Sequence, residues 1–412
     1  MKKQILFAFA LVLALSAKAQ FDTTGITTWN ALHNSSESWM QGAFEAGRDA
    51  NDAFDFGWGY YDMSTHVIGG DSIYIIKTIN DNYKAISIDQ MASGVYTITF
   101  SDLDGNNKTT KNFTRSNYAN KNFFYYSIDT DTEKDLEPAT QDWDIVFTRY
   151  AIIFPGFGAY PVAGVLSNIG VETSQVEFAQ GGTYSVADTA QFPMTSNISN
   201  IGYDWKSAGM SGVTIHDTLV YYVKDQTGAV NELKLTGYGG SGTGNFKFEV
   251  NGVVDSISLT AGNVNQVYYS LAAGDTVYTN TDNDWDIAFY AQSSFSSIPV
   301  RINEVSGTAL YIYPNVDISY WNTMGVEENQ FNVVSVYPNP ATDVINVVLS
   351  DFDADLSIEV IDMNGRVVKT QGVLATSGIN ETQVNVNGLN SGMYIVRVSG
   401  NQTVATAQVL VK

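Results

Sequence analysis

Few residues in this 412-residue chain are spaced for covalent chemistry. A serine nucleophile would show as Gly-x-Ser-x-Gly, a zinc hydrolase as His-Glu-x-x-His, a phosphate cradle as a glycine loop opening a helix. None of these occurs in the sequence. Gly239-Gly240-Ser241-Gly242-Thr243-Gly244 is glycine-rich, but it joins two alternating segments and reads as a hairpin connection. Carboxylates are abundant, 43 Asp and Glu, so no spacing selects one pair for glycosidase work. Asp102-Leu103-Asp104-Gly105 begins like a calcium loop, lacks the distal bidentate glutamate, and reads as a turn. What remains are the imidazoles of His33, His66 and His216 and the thioethers of Met63, Met194 and Met210. Both groups ligate iron, although loop methionines more often serve packing. On spacing alone they define no metal site.

The elements that must position these groups are strands. Trp143-Asp144-Ile145-Val146-Phe147 returns as Trp285-Asp286-Ile287-Ala288-Phe289. Each copy follows an aromatic pair, Tyr125-Tyr126-Ser127 and Tyr268-Tyr269-Ser270. A second match links Ile73-Tyr74-Ile75-Ile76-Lys77 with Val220-Tyr221-Tyr222-Val223-Lys224. Two kinds of block therefore alternate along the chain, which points to internal duplication. Period-two alternation puts Trp143, Ile145 and Phe147 on one buried face, with Asp144 and Thr148 opposite. The order of the blocks leaves two pairings open, with contiguous units slightly favoured because consecutive elements usually neighbour in space. Residues 35–52, with Ser36 ahead of Trp39 and Met40, have the spacing of a short amphipathic helix. Two stretches, 154–164 and 181–211, read as loops between blocks, where binding tends to reside.

The order Tyr-Tyr-Ser, Trp-Asp-Ile-x-Phe, aromatic patch and Tyr-x-Val-Lys strand resembles the HmuY family, all-β haem-binding proteins of the Bacteroidetes cell surface. The contiguous match covers about residues 123–250, and half-blocks extend it to about 54–315. The resemblance implies a haem or porphyrin ligand, with His66, Met63, Met194 and Met210 as the candidate axial ligands. The sequence departs from a paired-histidine pattern, because the second unit has no histidine at the matching place. The competing expectation is a surface adhesin or glycan-binding scaffold, whose aromatic loops stack on sugars.

Composition and termini point to export. Lys2, Lys3, an apolar run from Ile5 to Leu15 and Ala17-Lys18-Ala19 form a secretory signal over residues 1–19, with Gln20 as the expected mature start. Cysteine is absent, so stability must come from burial rather than disulfides, and the 24 tyrosines suit half-buried strands. A net charge of −22 argues against nucleic acid and anionic membranes as partners. No later apolar stretch is long enough for a transmembrane helix.

The tail carries the firmest motif set. Val336-Tyr337-Pro338-Asn339-Pro340 opens a strand-rich segment, Asp362-Met363-Asn364-Gly365-Arg366 is a hairpin turn, and Gly392-Met393-Tyr394 starts an alternating strand before the terminal Lys412. Pro338, Asn339, Pro340, Asp362, Gly365, Arg366, Gly392, Tyr394 and Lys412 resemble the type A sorting domain of the type IX secretion system. That resemblance implies a small Ig-like β-sandwich recognised by the outer-membrane translocon and a surface sortase.

The expected organisation is thus a signal at 1–19, a duplicated HmuY-like antiparallel all-β region at 20–324, a linker at 325–335 and a sorting domain at 336–412. The repeat blocks fall near 54–104, 123–172, 200–250 and 267–315. The expected product is a cell-surface or extracellular binding protein without enzymatic activity, with haem as its possible cofactor.

Overall fold

The computed structural model describes residues 21–154, 158–178, 190–209, 212–240, 244–259, 266–294, 297–322, 332–350, 354–375, 379–399 and 404–412. The signal segment, Met210 and most of the linker lie outside the described residues. The described residues form antiparallel strands and short 3-10 turns, with no α-helix. The chain divides into two units, meeting at Trp321 and Asn322.

Within the first unit, four sheets build two sandwiches. In the outer lobe an eight-stranded sheet contains Ser72–Lys77, Tyr83–Ala92, Val95–Asp102 and Thr109–Thr114, with Ala309–Asp317 returning from late in the chain to pair with Ser72–Lys77. It faces a four-stranded sheet ordered Val300–Ile302, Ile287–Tyr290, Phe123–Ser127, Thr132–Lys134. Ile76, Ile98, Phe124, Tyr126, Ile287 and Phe289 close the core between them. In the inner lobe a four-stranded sheet ordered Gly158–Ser167, Ile145–Phe154, Gln266–Ser270, Asp275–Asn280 faces a five-stranded sheet built on Leu219–Lys224, Val230–Tyr238 and Asn245–Val250. Ile145, Phe147, Tyr221, Phe246, Phe248 and Tyr269 fill that core.

The pairing left open by the sequence is an exchange. Phe123–Ser127 does not pair with the Trp-Asp-Ile strand that follows it. It pairs with the later copy, Tyr126 opposite Ile287. The strand Ile145–Phe154 pairs with the later Tyr-Tyr-Ser copy, Ile145 opposite Tyr269. The inner lobe is therefore contiguous, and the outer lobe is closed by chain from both sides of it.

The two four-stranded sheets meet back to back. Trp39 packs against both outer faces, and Asn122 donates to Asn168 across the seam at 2.7 Å. This explains two departures from the sequence reading. Val146 and Thr148 are buried as well as Ile145 and Phe147, because over this segment the strand is covered on both faces. Trp143 precedes the strand and packs with Val146 and Tyr268 rather than sharing a face with Ile145. The helix expected over 35–52 is replaced by turns and one 3-10 segment, Ala43–Glu45. The Ser35 hydroxyl caps Glu37 and Ser38, and the buried Glu45 carboxylate accepts from Gly42 and Val300. These local and tertiary bonds outcompete helical ones.

The second unit is a two-sheet sandwich. Three strands including Val344–Ser350 face four including Ala354–Asp362 and Gly392–Ser399. Ile345, Val347, Ile358, Val360, Val396 and Val409 form its core.

Candidate functional site

A cleft of about 310 Å³ opens at the seam between the lobes of the first unit. One wall is the outer face of the inner lobe's four-stranded sheet, carrying Thr148, Tyr150, Leu166, Gln266 and Asn280. The other is supplied by residues 34–36, Trp39, Asn283, Trp285 and residues 301–306.

Several side chains there are held by identifiable contacts. The Trp39 indole N–H donates to the Ser167 carbonyl at 2.7 Å, and the Arg301 guanidinium lies 5.1 Å from the Trp39 ring. Arg301 also donates to the carbonyls of Ser35, Ser38 and Gln41. Burial pulls its pKa down to about 10 against the pull of the Glu304 and Glu45 charges. Glu304 binds His33 Nδ1 at 2.7 Å and the Asn34 carboxamide at 2.7 Å. Trp285 stands half-buried, edge-on to Tyr125 at 4.9 Å, with its carbonyl accepting from Asn303. Asn280 donates to Gln266 at 3.1 Å, and Asn283 donates to the Ser306 hydroxyl. Burial raises the Tyr150 phenol well above its usual value, so it stays protonated at any ordinary pH.

Behind the cleft, two buried carboxylates tie the strands together. Asp286 accepts from the Ile79 N–H at 2.9 Å and the Ile128 N–H at 2.8 Å. Asp144 accepts from the Gln226 N–H at 2.8 Å and the Leu271 N–H at 2.7 Å. Burial raises both pKa values, and the backbone donors oppose the rise.

The sequence-derived ligand candidates do not converge on a haem site. His66 is exposed in a hairpin turn at φ 60°, with its Nδ1 2.8 Å from the Tyr61 hydroxyl. Met63, in the same turn, is 66% exposed, with no apolar slot around it. Met194 packs against Val176, Val220 and Tyr222 of the inner lobe. His33 joins Glu304 at the cleft rim, and His216 contacts the Ser207 hydroxyl. The described residues therefore do not fit the group that the family resemblance implies. The cleft itself escaped the sequence reading because six separated segments form it. The one available signal was Asn280, Asn283 and Trp285, an amide-rich approach to a tryptophan.

The tail motif residues do converge within the second unit. Asn339 accepts from the Leu410 N–H and donates to the Gln408 carbonyl, fixing the Pro338-Asn339-Pro340 segment to the last strand. Asp362 caps its turn through the N–H groups of Asn364 and Arg366, while Gly365 takes φ +80°. The Tyr394 hydroxyl donates to the Asn390 carbonyl, Gly392 pairs with Val411, and the Lys412 N–H donates to the Ala341 carbonyl.

A curated relative, the ulvan lyase NLR42 of Nonlabens ulvanivorans, is 32% identical over 92 residues, covering 21% of this chain and 16% of that enzyme. The chain thus spans about a sixth of that relative's length. The expectation of a chain without enzymatic activity is withdrawn on this finding, since the relative is an enzyme. Residues 335–412 match the family model of a secretion system C-terminal sorting domain. Among the described residues no helix is long and apolar enough to cross a membrane. The C-terminal unit is a type IX sorting domain that engages the secretion machinery, and it directs this protein to the cell surface or the extracellular space.

Proposed function

We propose that the exported region binds carbohydrate, seating a glycan chain in the cleft between its lobes. The observation that carries this reading is the sharing of one cleft by Trp39, Tyr150 and Trp285 with the carboxamides of Gln266, Asn280 and Asn283. Aromatic faces suit the C–H faces of sugar rings, and a carboxamide offers donors and acceptors to hydroxyl groups. Apolar walls with a few convergent polar groups are the usual build of a ligand site. Arg149, Arg301 and Glu304 are the charged groups of the lining, and Arg301 and Glu304 are bonded to neighbouring backbone and side chains. We further infer that the region is internally duplicated, a reading supported by the matched settings of Asp144 and Asp286.

The relative's name makes ulvan the first polysaccharide to test. Calorimetry of the secreted protein with ulvan should show binding that Trp285→Ala weakens about tenfold or more, the scale of losing one stacked aromatic contact and its buried area. A parallel hemin titration should leave the Soret band unshifted. A Soret shift, together with glycan binding indifferent to Trp285→Ala, would reject the carbohydrate reading.

A further inference from the structure

The strand Ile145–Phe154 is longer than the sheet that contains it. Gln266–Ser270 pairs with Ile145 to Thr148 only, while Gly158–Ser167 pairs along its whole length. Beyond Thr148 the hairpin is a two-stranded ribbon. Such ribbons are marginal in water, and contiguous exposed apolar groups usually mark a contact surface. Ile153, Phe154 and Tyr160 near the end of this ribbon are 50%, 40% and 56% exposed, and the Phe154 and Tyr160 rings meet edge-on at 5.7 Å.

The direction of these rings is set by register. Side chains alternate along a strand, and directly paired residues share a face. Tyr160 is opposite Ile152, and Val162 is opposite Tyr150. Tyr150, Ile152, Phe154 and Tyr160 therefore share one face, and Tyr150 lines the cleft. Phe154 lies four residues further along, about 13 Å at a strand's rise per residue.

We propose that Phe154 and Tyr160 form an outer platform for the same carbohydrate, so that the ligand is a polymer running from the cleft along the projecting hairpin. This rests on the carbohydrate reading of the cleft. The continuity of one sheet face from Tyr150 to Tyr160 selects a long chain over a compact sugar, because only a chain reaches both ends.

The test compares ulvan polymer with a disaccharide cut from it, too short to span that distance, using the full secreted protein, the Phe154→Ala/Tyr160→Ala double variant and Trp285→Ala. The double variant should lose about tenfold in affinity for the polymer and none for the disaccharide, whereas Trp285→Ala should weaken both. Both hairpin side chains are exposed, so the double variant should keep the wild-type melting temperature. Unchanged polymer affinity in the double variant, or an equal loss for both probes, overturns the proposal while leaving the cleft reading in place. If Trp285→Ala has no effect but the double variant loses the polymer, the platform stands and the cleft reading falls. Wild-type protein that ignores both probes defeats both. A self-associated protein that the double variant makes monomeric, with ulvan affinity kept, would assign the hairpin to a second copy instead and overturn the proposal.

Discussion

Asp286 holds the place in the outer lobe that Asp144 holds in the inner one. Each carboxylate accepts one N–H just past a lysine-ended strand and one just past a Tyr-Tyr-Ser strand. Each N–H of the aspartates donates to the second tyrosine of that Tyr-Tyr-Ser strand, Tyr126 or Tyr269. Beyond each aspartate an asparagine, Asn168 or Asn303, donates to the carbonyl of the preceding tryptophan.

Removing either carboxylate leaves one buried and one half-buried N–H group without an acceptor. Asp286→Ala and Asp144→Ala should each cost about 3 kcal/mol, from roughly 1–3 kcal/mol per orphaned group. Urea denaturation of the two variants checks this. A loss confined to one of them would separate the roles of the two aspartates.

Two other buried carboxyls make stability fall as the solution becomes more alkaline. Burial pushes Glu45 up to about 8 and Glu137 up to about 7, against opposing backbone donors and the Arg301 and Lys121 charges. A folded pKa above the unfolded value stabilises fully below the unfolded value of 4.5, and this contribution is lost as pH rises through 7 and then 8. Burial raises Asp144 and Asp286 in the same sense. Melting temperature should therefore decline from pH 5 to pH 8, and Glu45→Gln should flatten the upper part of the decline. The scan should stop near pH 8, because burial brings Lys206 down to about 8 and its contribution has the opposite sign. A wild-type profile flat across this range would contradict the assignment.

Export depends on the last unit. A chain cut before residue 335 should accumulate in the periplasm, folded and missing from the medium and the cell surface, because the matched sorting domain is gone. Fractionation with antibody against the first unit reads the outcome. Surface display of the shortened chain would mean that a second export signal lies elsewhere.

The sequence made different parts of this legible to different degrees. The tail could be read because its signals are local: Asp362 and Gly365 close a turn through neighbours only a few residues away. The Tyr-Tyr-Ser and Trp-Asp-Ile strands could be read because their aromatic and apolar residues alternate within a few positions. Their partners could not, since Tyr126 carries nothing in its neighbourhood that prefers Ile287 to Ile145. Asp144 and Thr148 were expected opposite the buried face, but a sheet covered on both faces erases the alternation that single-strand patterns report. The helix expected near Trp39 failed because Glu45 spends its carboxylate on Val300, a partner no local window contains.

The exchanged pairing also sets an order of events as the chain is made. Every strand of the inner lobe lies within one uninterrupted stretch, so it can complete its sheets from nearby chain. The outer lobe must wait, because Phe123–Ser127 finds its partner only when Ile287–Tyr290 has emerged, and Ser72–Lys77 stays a bare edge until Ala309–Asp317 arrives. Contacts between distant residues form slowly because loop closure comes before their reward. The finished inner lobe shortens that loop by holding Thr148, Gln266 and Asn280 side by side in one sheet. It thus acts as the clasp on which the rest of the exported region shuts.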